Sequence, residues 1–219
     1  PTDMGVNMAG YAIVDDEVCR HAAEQEIIRR YYKAKCDYKQ GRTNDETVQK
    51  ILMIMKQLTL TPEDRRPVAP ALAKARQAKG HAMCIVLKDG RVITGRTSEL
   101  MAAPASCVIN AIKVLAGIPQ ETDLVSAASI EPIQTLKTNY LGGKNPRLHT
   151  DEILIALSSS AASSELAAAA MHQLPNLKGC DVHSTVLLSS VDSSTLNRLG
   201  MYLTCDPVYE EEDRKYHKL

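Results

Sequence analysis

The residue pattern changes at His81, and this change constrains the fold more than any other feature of the sequence. Before His81, apolar residues recur at helical spacing; after it, two strand-like runs, 82–87 and 91–95, flank Lys88-Asp89-Gly90. An Asp-Gly pair between two such runs is a strong hairpin signal, because glycine accepts the positive φ that tight turns require. The sequence therefore predicts a hairpin with antiparallel strands, preceded by a helical region.

The region before the hairpin contains start and stop signals for several helices. Asp15 and Asp16 can cap a first helix that Gly41 ends, and residues 43–46 form a capping-box pattern for a second. Pro62 occupies the first position of a short third helix, and a further helical run covers 69–78. We therefore predict a helical N-terminal subdomain at residues 1–80.

The region from residue 81 onward alternates between helical and strand-like patterns. Helices are predicted at 104–116, 129–136 and 163–174, with a further short helix that Asp192 caps. Short strands are predicted at 124–125, 182–189 and 201–204, while 153–157 fits either a buried strand or a helix. Such alternation indicates a layered α/β domain with a mixed sheet, at residues 81–207, followed by a charged tail at 208–219.

The order of hairpin, apolar helix, strand and helix resembles the front half of cytidine-deaminase-like domains. Zinc deaminases also require an H/C-x-E motif and a P-C-x-x-C motif. Here the residue two positions after Cys107 is Ile109, and the chain has no C-x-x-C. The architecture would therefore be shared without its zinc site, or else the order is simply a common α/β arrangement.

The amino-acid composition disfavours some classes of protein. Lys plus Arg and Asp plus Glu number 26 each, and there is no Trp or Phe, so neither a basic field nor many stacking aromatics favour a nucleic-acid partner. The six Cys are scattered, as is typical of free thiols in a reducing cytoplasm. Neither a membrane-spanning run nor a signal peptide is evident. The first residue is Pro1, which favours a fragment of a longer chain.

Residues 137–152 are the strongest candidate for a binding loop. A Gly-Gly pair and an Asn-Pro step interrupt regular structure there, and loops on a rigid scaffold often carry binding groups. The loop concentrates cations, amides and a histidine that suit an anionic or phosphate-bearing small molecule, and a polar N-terminal loop can join it. The other reading is a solvated loop in which Arg147 pairs with Asp151 or Glu152. The candidate ligand-binding residues are Asn139, Lys144, Asn145, Arg147, His149, Asp3 and Asn7.

Complete catalytic and cofactor motifs are absent from the sequence. No G-x-G-x-x-G, Walker A loop or nucleophile elbow is present. Cys180 and His183 have C-x-x-H spacing, but the further ligands that a structural zinc site needs show no recognised spacing, so we predict no metal site. The catalytic residues and the cofactor, if any, stay unassigned.

Five blocks of sequence resemble a known family. They are residues 1–8 (PTDMGVNM), 15–20 (DDEVCR), 25–32 (QEIIRRYY), 145–152 (NPRLHTDE) and 174–184 (LPNLKGCDVHS). Over nearly its whole length the chain resembles the C-terminal half of the uncharacterised bacterial UPF0371 (DUF1846) family. The resemblance implies an upstream half with a phosphate-loop-like Gly-Ser-Gly-Lys stretch, a three-part organisation and no known reaction.

Two hypotheses follow from the sequence. The first is the C-terminal half of a cytoplasmic enzyme that binds a phosphate-bearing or other anionic small molecule together with its upstream half. The second is a non-catalytic module for homo-oligomerisation or regulation, built on apolar helical faces. Neither hypothesis involves nucleic acid or a membrane.

Overall fold

The computed structural model describes residues 15–210, so Asp3, Asn7 and most of the charged tail lie outside the described residues. The chain divides into two compact units, Pro1–Arg65 and Arg66–Leu219. Each unit is described by itself below.

The described part of the first unit is helical. Helix α1 (Asp16–Lys39) begins after Asp15, whose side chain accepts a hydrogen bond from the Val18 backbone N–H, and α2 (Asp45–Gln57) begins after Asn44, whose side chain caps Thr47 in the same way. A 3₁₀ turn, Pro62–Asp64, follows. The side chain of Gln25 in α1 donates to the Asp64 carbonyl at 3.0 Å and links this turn to α1.

The second unit contains the remaining helices and the sheet. Its described elements, in chain order, are α3 (Val68–Ala78), β1 (Ala82–Val86), β2 (Val92–Arg96), α4 (Ala103–Ala116), α5 (Ala127–Thr135), a π-turn (Leu136–Tyr140), α6 (Thr150–Ala161), α7 (Glu165–Met171), a 3₁₀ turn (Leu174–Leu177), β3 (Asp181–Ser184), α8 (Ser190–Arg198) and β4 (Tyr202–Cys205). The predicted α/β class with a helical N-terminal region is confirmed.

The four strands form one mixed sheet in the order β2-β1-β3-β4. Strand β1 is antiparallel to both β2 and β3, with Cys84 opposite Thr94 on one side and His183 on the other, while β3 and β4 are parallel. The hairpin is confirmed, and Gly90 at its turn has φ 87°. The predicted mixed sheet is therefore present.

Strand β1 is buried on both faces. Cys84 and Val86 cluster with Ala71 of α3, whereas Met83 and Ile85 belong to the large core that includes α4. Because successive side chains of a strand point to opposite faces, this split places α3 on one side of the sheet and α4 on the other. The result is a layered unit in which β1, one of the two inner strands of the sheet, is wholly apolar.

Several predicted boundaries were wrong. Residues 124–125 are not a strand: Leu124 is buried in the core within a connection, and no sheet neighbour is available to it among the described strands. Strand β3 ends at Ser184, because Thr185 turns its hydroxyl to the Ala82 carbonyl. The ambiguous residues 153–157 are helical, within α6. Among the described elements, three helices separate α4 from β3, so the strand predicted directly after α4 is absent and the cytidine-deaminase-like resemblance is not confirmed.

Candidate functional site

A histidine and an aspartate from two different helices meet at the start of α6. His149 is the residue before α6, with extended backbone angles, and Asp192 lies in the first turn of α8. Nδ1 of His149 is 2.7 Å from Oδ2 of Asp192. The His149 side chain is 28% exposed and that of Asp192 only 4%, so a buried carboxylate holds a partly accessible imidazole.

Four polar groups of three neighbouring residues satisfy the Asp192 carboxylate. Oδ1 accepts from the Thr150 backbone N–H at 2.8 Å and from the Thr150 hydroxyl at 2.7 Å. Oδ2 accepts from the Ser189 hydroxyl at 2.8 Å in addition to its contact with His149. Because both oxygens are fixed by these donors, the carboxylate fixes the ring plane of His149 in turn.

The pKa values of the pair move in opposite directions. The hydrogen bond that His149 donates to the Asp192 carboxylate raises the pKa of His149 above 6.5, and this outweighs the opposing effect of burial. Burial alone would raise the pKa of Asp192, but hydrogen bonds and charge from His149, with the hydrogen bonds from Thr150, lower it below 3.8. The folded protein therefore favours an ion pair of imidazolium and carboxylate.

The second ring nitrogen of His149, Nε2, makes no hydrogen bond to any of residues 15–210. With Nδ1 committed to Asp192, a neutral ring keeps its hydrogen on Nδ1 and leaves Nε2 as an acceptor, while a protonated ring offers an Nε2–H donor. The arrangement can therefore accept or deliver a proton at one defined atom.

Lys137 holds the two ends of the loop together. Its Nζ donates to the Arg147 carbonyl at 2.5 Å and to Oε2 of Glu152 at 2.7 Å. The same Glu152 oxygen accepts the backbone N–H of His149 at 2.7 Å, which satisfies an otherwise unpaired donor at the start of α6. The π-turn that carries Lys137 is thereby fastened to the helix that His149 caps.

Arg147 and His149 flank a buried residue. Leu148 is 0% exposed and forms a parallel bridge with Met101, while both neighbours remain partly exposed, as expected of an extended segment. Arg147 donates from Nε to the Ser98 carbonyl at 3.0 Å and from Nη1 to Glu210 at 3.4 Å. Glu152, one of the two acids considered as a partner of Arg147, is bound by Lys137.

The other predicted site residues occupy different environments. The Asn145 side chain accepts the Arg147 backbone N–H at 3.0 Å and so shapes the loop. Asn139 is exposed in the π-turn and accepts from the Thr138 hydroxyl, and Lys144 is exposed after Gly142 and Gly143. The loop thus brings Asn145 and Arg147 into direct contact, and Lys137 connects Arg147 to Glu152, which binds the His149 backbone.

Sequence reasoning missed Asp192 and Lys137 as site residues. Asp192 was expected to cap α8, but Ser189 is the capping residue and accepts the Asp192 backbone N–H at 3.1 Å. This leaves the Asp192 carboxylate free to reach α6, 42 residues earlier. The sequence signal that could have indicated Asp192 is the Ser189-x-x-Asp192 spacing, which places an acidic residue in the first turn of a helix.

Metal-binding and thiol groups add little to the site. Within residues 15–210 no cluster of three or more His, Cys, Asp or Glu side chains could hold a metal ion. None of the six Cys, all of which lie within residues 15–210, forms a disulfide; Cys84, Cys107 and Cys180 are buried, and burial raises the pKa of Cys84 to about 12. A thiol with such a pKa is an unreactive core residue at neutral pH.

Comparison with known proteins identifies the family. Residues 63–215 match the profile described as the C-terminal part of the domain of unknown function DUF1846, and residues 1–59 match its N-terminal part. The chain belongs to this family, DUF1846 or UPF0371, whose function is not assigned.

The chain is similar to curated proteins of two bacterial genera. It is 52% identical to a UPF0371 protein of Corynebacterium efficiens over 97% of the chain and 43% of that protein. It is 48% identical to a UPF0371 protein of Streptococcus thermophilus over 100% of the chain and 44% of that protein. The chain therefore spans less than half the length of these relatives. Among residues 15–210, none of the helices has the length and apolar character to cross a membrane.

Proposed function

We propose that this chain supplies His149 as a proton-transferring and anion-contacting group to a small-molecule site in a cytoplasmic bacterial enzyme. The observation that supports the proposal is the buried Asp192, whose hydrogen bonds orient the ring and leave Nε2 available. A buried carboxylate that orients a partly exposed histidine is the usual means of fixing the tautomer of a general acid–base group.

The raised pKa of His149 sets its chemistry. An imidazolium that persists toward neutral pH donates a charged hydrogen bond from Nε2 to a phosphate or carboxylate oxygen. After that proton leaves, Asp192 continues to hold Nδ1–H, so the ring keeps its orientation while Nε2 becomes a base. One residue can therefore bind an anion and exchange a proton with it.

The loop residues form the proposed surroundings of His149. Arg147 and Lys137 are ion-paired with Glu210 and Glu152, respectively, so these two cations add little uncompensated charge to the loop. Ligand recognition there would depend on directed hydrogen bonds rather than on a general positive field. The proposed site also includes Asn139, Lys144 and Asn145.

Groups outside the described residues complete this proposal. Asp3 and Asn7 join the proposed site, and the upstream half of the protein supplies the remaining walls. The relatives that the chain matches are more than twice its length, which is consistent with a site shared between segments.

A thermal-shift screen of nucleotides and sugar phosphates on the whole protein tests the proposal. A true ligand raises the melting temperature of the wild type, and His149→Gln removes most of that shift. His172→Gln is the matched control, because His172 is exposed at the end of α7. An equal ligand shift in the wild type and in His149→Gln would refute the role of His149.

Arg147→Ala distinguishes a binding role from a structural one. If ligand binding persists and only the melting temperature falls, the contacts of Arg147 with Ser98 and Glu210 simply fasten the loop. If binding is lost while the melting temperature holds, Arg147 contacts the ligand.

A role in assembly is the second candidate, and three apolar side chains beside the loop favour it. Tyr140 is 78% and Leu141 72% exposed, and Leu136 at the start of the same π-turn is also exposed. Large apolar side chains that cluster on a surface are typical of contact sites. Sedimentation analysis of the wild type and of Tyr140→Ser/Leu141→Ser would show a change of oligomeric state if this surface mediates assembly.

A further inference from the structure

A cleft of about 250 Å³ opens between α3, the end of β2 and the start of α4, and it is separate from the His149 pair. Its lining includes two cations, Lys74 and Arg96, and the polar side chains of Ser98, Ser106 and Asn110. None of the described residues that line it is acidic. We propose that this cleft is a binding site for a phosphate group of a small molecule.

The charge of the cleft is uncompensated. Arg96, the last residue of β2, is exposed, and its side chain makes no hydrogen bond or ion pair within the described residues. The only side-chain bond of Lys74 in that part of the chain goes to the neutral amide of Gln77, at 3.2 Å. By contrast, Lys137 and Arg147 of the loop are both paired with glutamates. Two unpaired cations facing one cleft favour a dianionic group such as a phosphate monoester.

The close approach of α4 to β2 builds the polar wall of the cleft. A Cβ on Gly95 would lie 2.6 Å from the Cα of Cys107, so only glycine permits this approach. Asn110 is fixed on the strand by a 2.9 Å bond from Nδ2 to the Thr94 carbonyl, which leaves its second amide hydrogen for a ligand. Ser106 lies one turn before Asn110 on the same face of α4, where its hydroxyl can donate as well.

Ser98 connects the cleft to the loop. It lines the cleft, while its carbonyl accepts the Nε–H of Arg147. The volume exceeds that of a bare phosphate but is at the lower end of ordinary ligand pockets, so a phosphate with a small organic group fits it. The cleft would therefore hold the phosphate end of a molecule next to Ser98, the residue that also binds Arg147.

Titration of the ¹⁵N-labelled protein with inorganic phosphate tests this inference residue by residue. We expect the backbone amides of Gly95, Ser106 and Asn110 to shift in a saturable manner. Arg96→Gln and Lys74→Met should each weaken the apparent affinity about tenfold, because each removes one charge-assisted contact. Arg96→Lys should weaken it less than Arg96→Gln, since it keeps the charge.

Arg76→Gln is the matched control, because Arg76 is an exposed cation of the same helix as Lys74 but does not line the cleft. Its affinity for phosphate should equal that of the wild type. The inference is overturned if Arg96→Gln and Lys74→Met bind phosphate as tightly as Arg76→Gln, or if phosphate shifts no amide around the cleft. Because the readout is local to the cleft, this result is independent of any change at the His149 amide.

Discussion

Thr150 donates both its backbone N–H and its hydroxyl to one oxygen of Asp192, Oδ1, at 2.8 and 2.7 Å. Thr150 is the first residue of α6 and is fully buried, and Asp192 lies in the first turn of α8. One carboxylate therefore sits at the N-terminal ends of two helices, where the partial positive charge of unpaired N–H groups stabilises an anion. Together with the hydrogen bond and the charge of His149, these hydrogen bonds from Thr150 keep Asp192 ionised although it is buried.

Replacement of Asp192 by asparagine should expose the dependence of His149 on this carboxylate. Thr150, Ser189 and His149 all donate to the carboxylate of Asp192. The NH2 group of the substituted amide would also donate, so at least one of these buried donors would lose its acceptor. We expect Asp192→Asn to lower the free energy of unfolding by about 1.5–3 kcal/mol and to lower the pKa of His149. Urea unfolding and an NMR titration of the imidazole measure the two effects. Glu131→Gln, at an exposed acid without a side-chain partner among the described residues, should change neither.

The stability of the His149–Asp192 pair should depend on pH in a defined direction. The pKa of His149 is raised above 6.5 in the folded state, so its contribution is complete below that pH and is lost as pH rises through the folded pKa. The pKa of Asp192 is lowered below 3.8, so its contribution is lost only as pH falls through that lower value. The stability advantage of the wild type over His149→Gln should therefore be largest between pH 3.8 and 6.5 and shrink above it. A flat difference across this range and up to alkaline pH would contradict the assignment.

The Lys137–Glu152 pair should contribute more than an ordinary surface ion pair. Its side chains are 13% and 24% exposed, and Lys137 also binds the Arg147 carbonyl. We expect a double-mutant cycle of Lys137→Met and Glu152→Gln to give a coupling energy above about 1 kcal/mol. The same cycle on Lys50 and Glu46, an exposed pair one helical turn apart, should give about 0.3–0.5 kcal/mol. Equal coupling energies in the two cycles would show that the loop is not fastened by this pair.

Gly95→Ala should destabilise the sheet because α4 has no room to accept a methyl group. The added Cβ would lie 2.6 Å from the Cα and 2.7 Å from the Cβ of Cys107, and these atoms belong to a buried helix. We expect a loss of about 1–3 kcal/mol in the free energy of unfolding. Gly80→Ala is the control, since the nearest atom to its added Cβ is 3.8 Å away. A thermal melt that shifts equally for both variants would refute the packing argument.

The sequence alone predicted the elements that depend on residues close together along the chain. The Asp89-Gly90 hairpin and the apolar helix α4 ending at Gly117 formed as predicted, and α2 begins within the predicted residues 43–46, although Asn44 rather than Thr43 caps it. In each case the signal and the structure that it specifies are within a few residues of each other, so no distant partner was needed. The alternation of helices and strands likewise predicted an α/β unit with a mixed sheet.

The tertiary structure decided what depends on residues far apart in sequence. A strand at 124–125 was predicted from an apolar pair, but a strand exists only where a neighbour accepts its hydrogen bonds, and the described sheet offers none there. The hydrogen-bond partners of Arg147 were also decided by the tertiary structure, because Ser98 lies 49 residues before it and Glu210 lies 63 residues after it.

The sequence by itself determined that residues 141–149 form an irregular segment with several binding groups, because Asn145-Pro146 and the preceding glycines prevent regular structure. It could not determine that His149 is held by Asp192, 43 residues later, or that Arg96 and Lys74 share a cleft. Those juxtapositions follow from the packing of α6 against α8 and of α3 against β2. Burial of apolar faces drives such packing, and since burial is not directional, a local sequence pattern does not specify which polar groups it brings together.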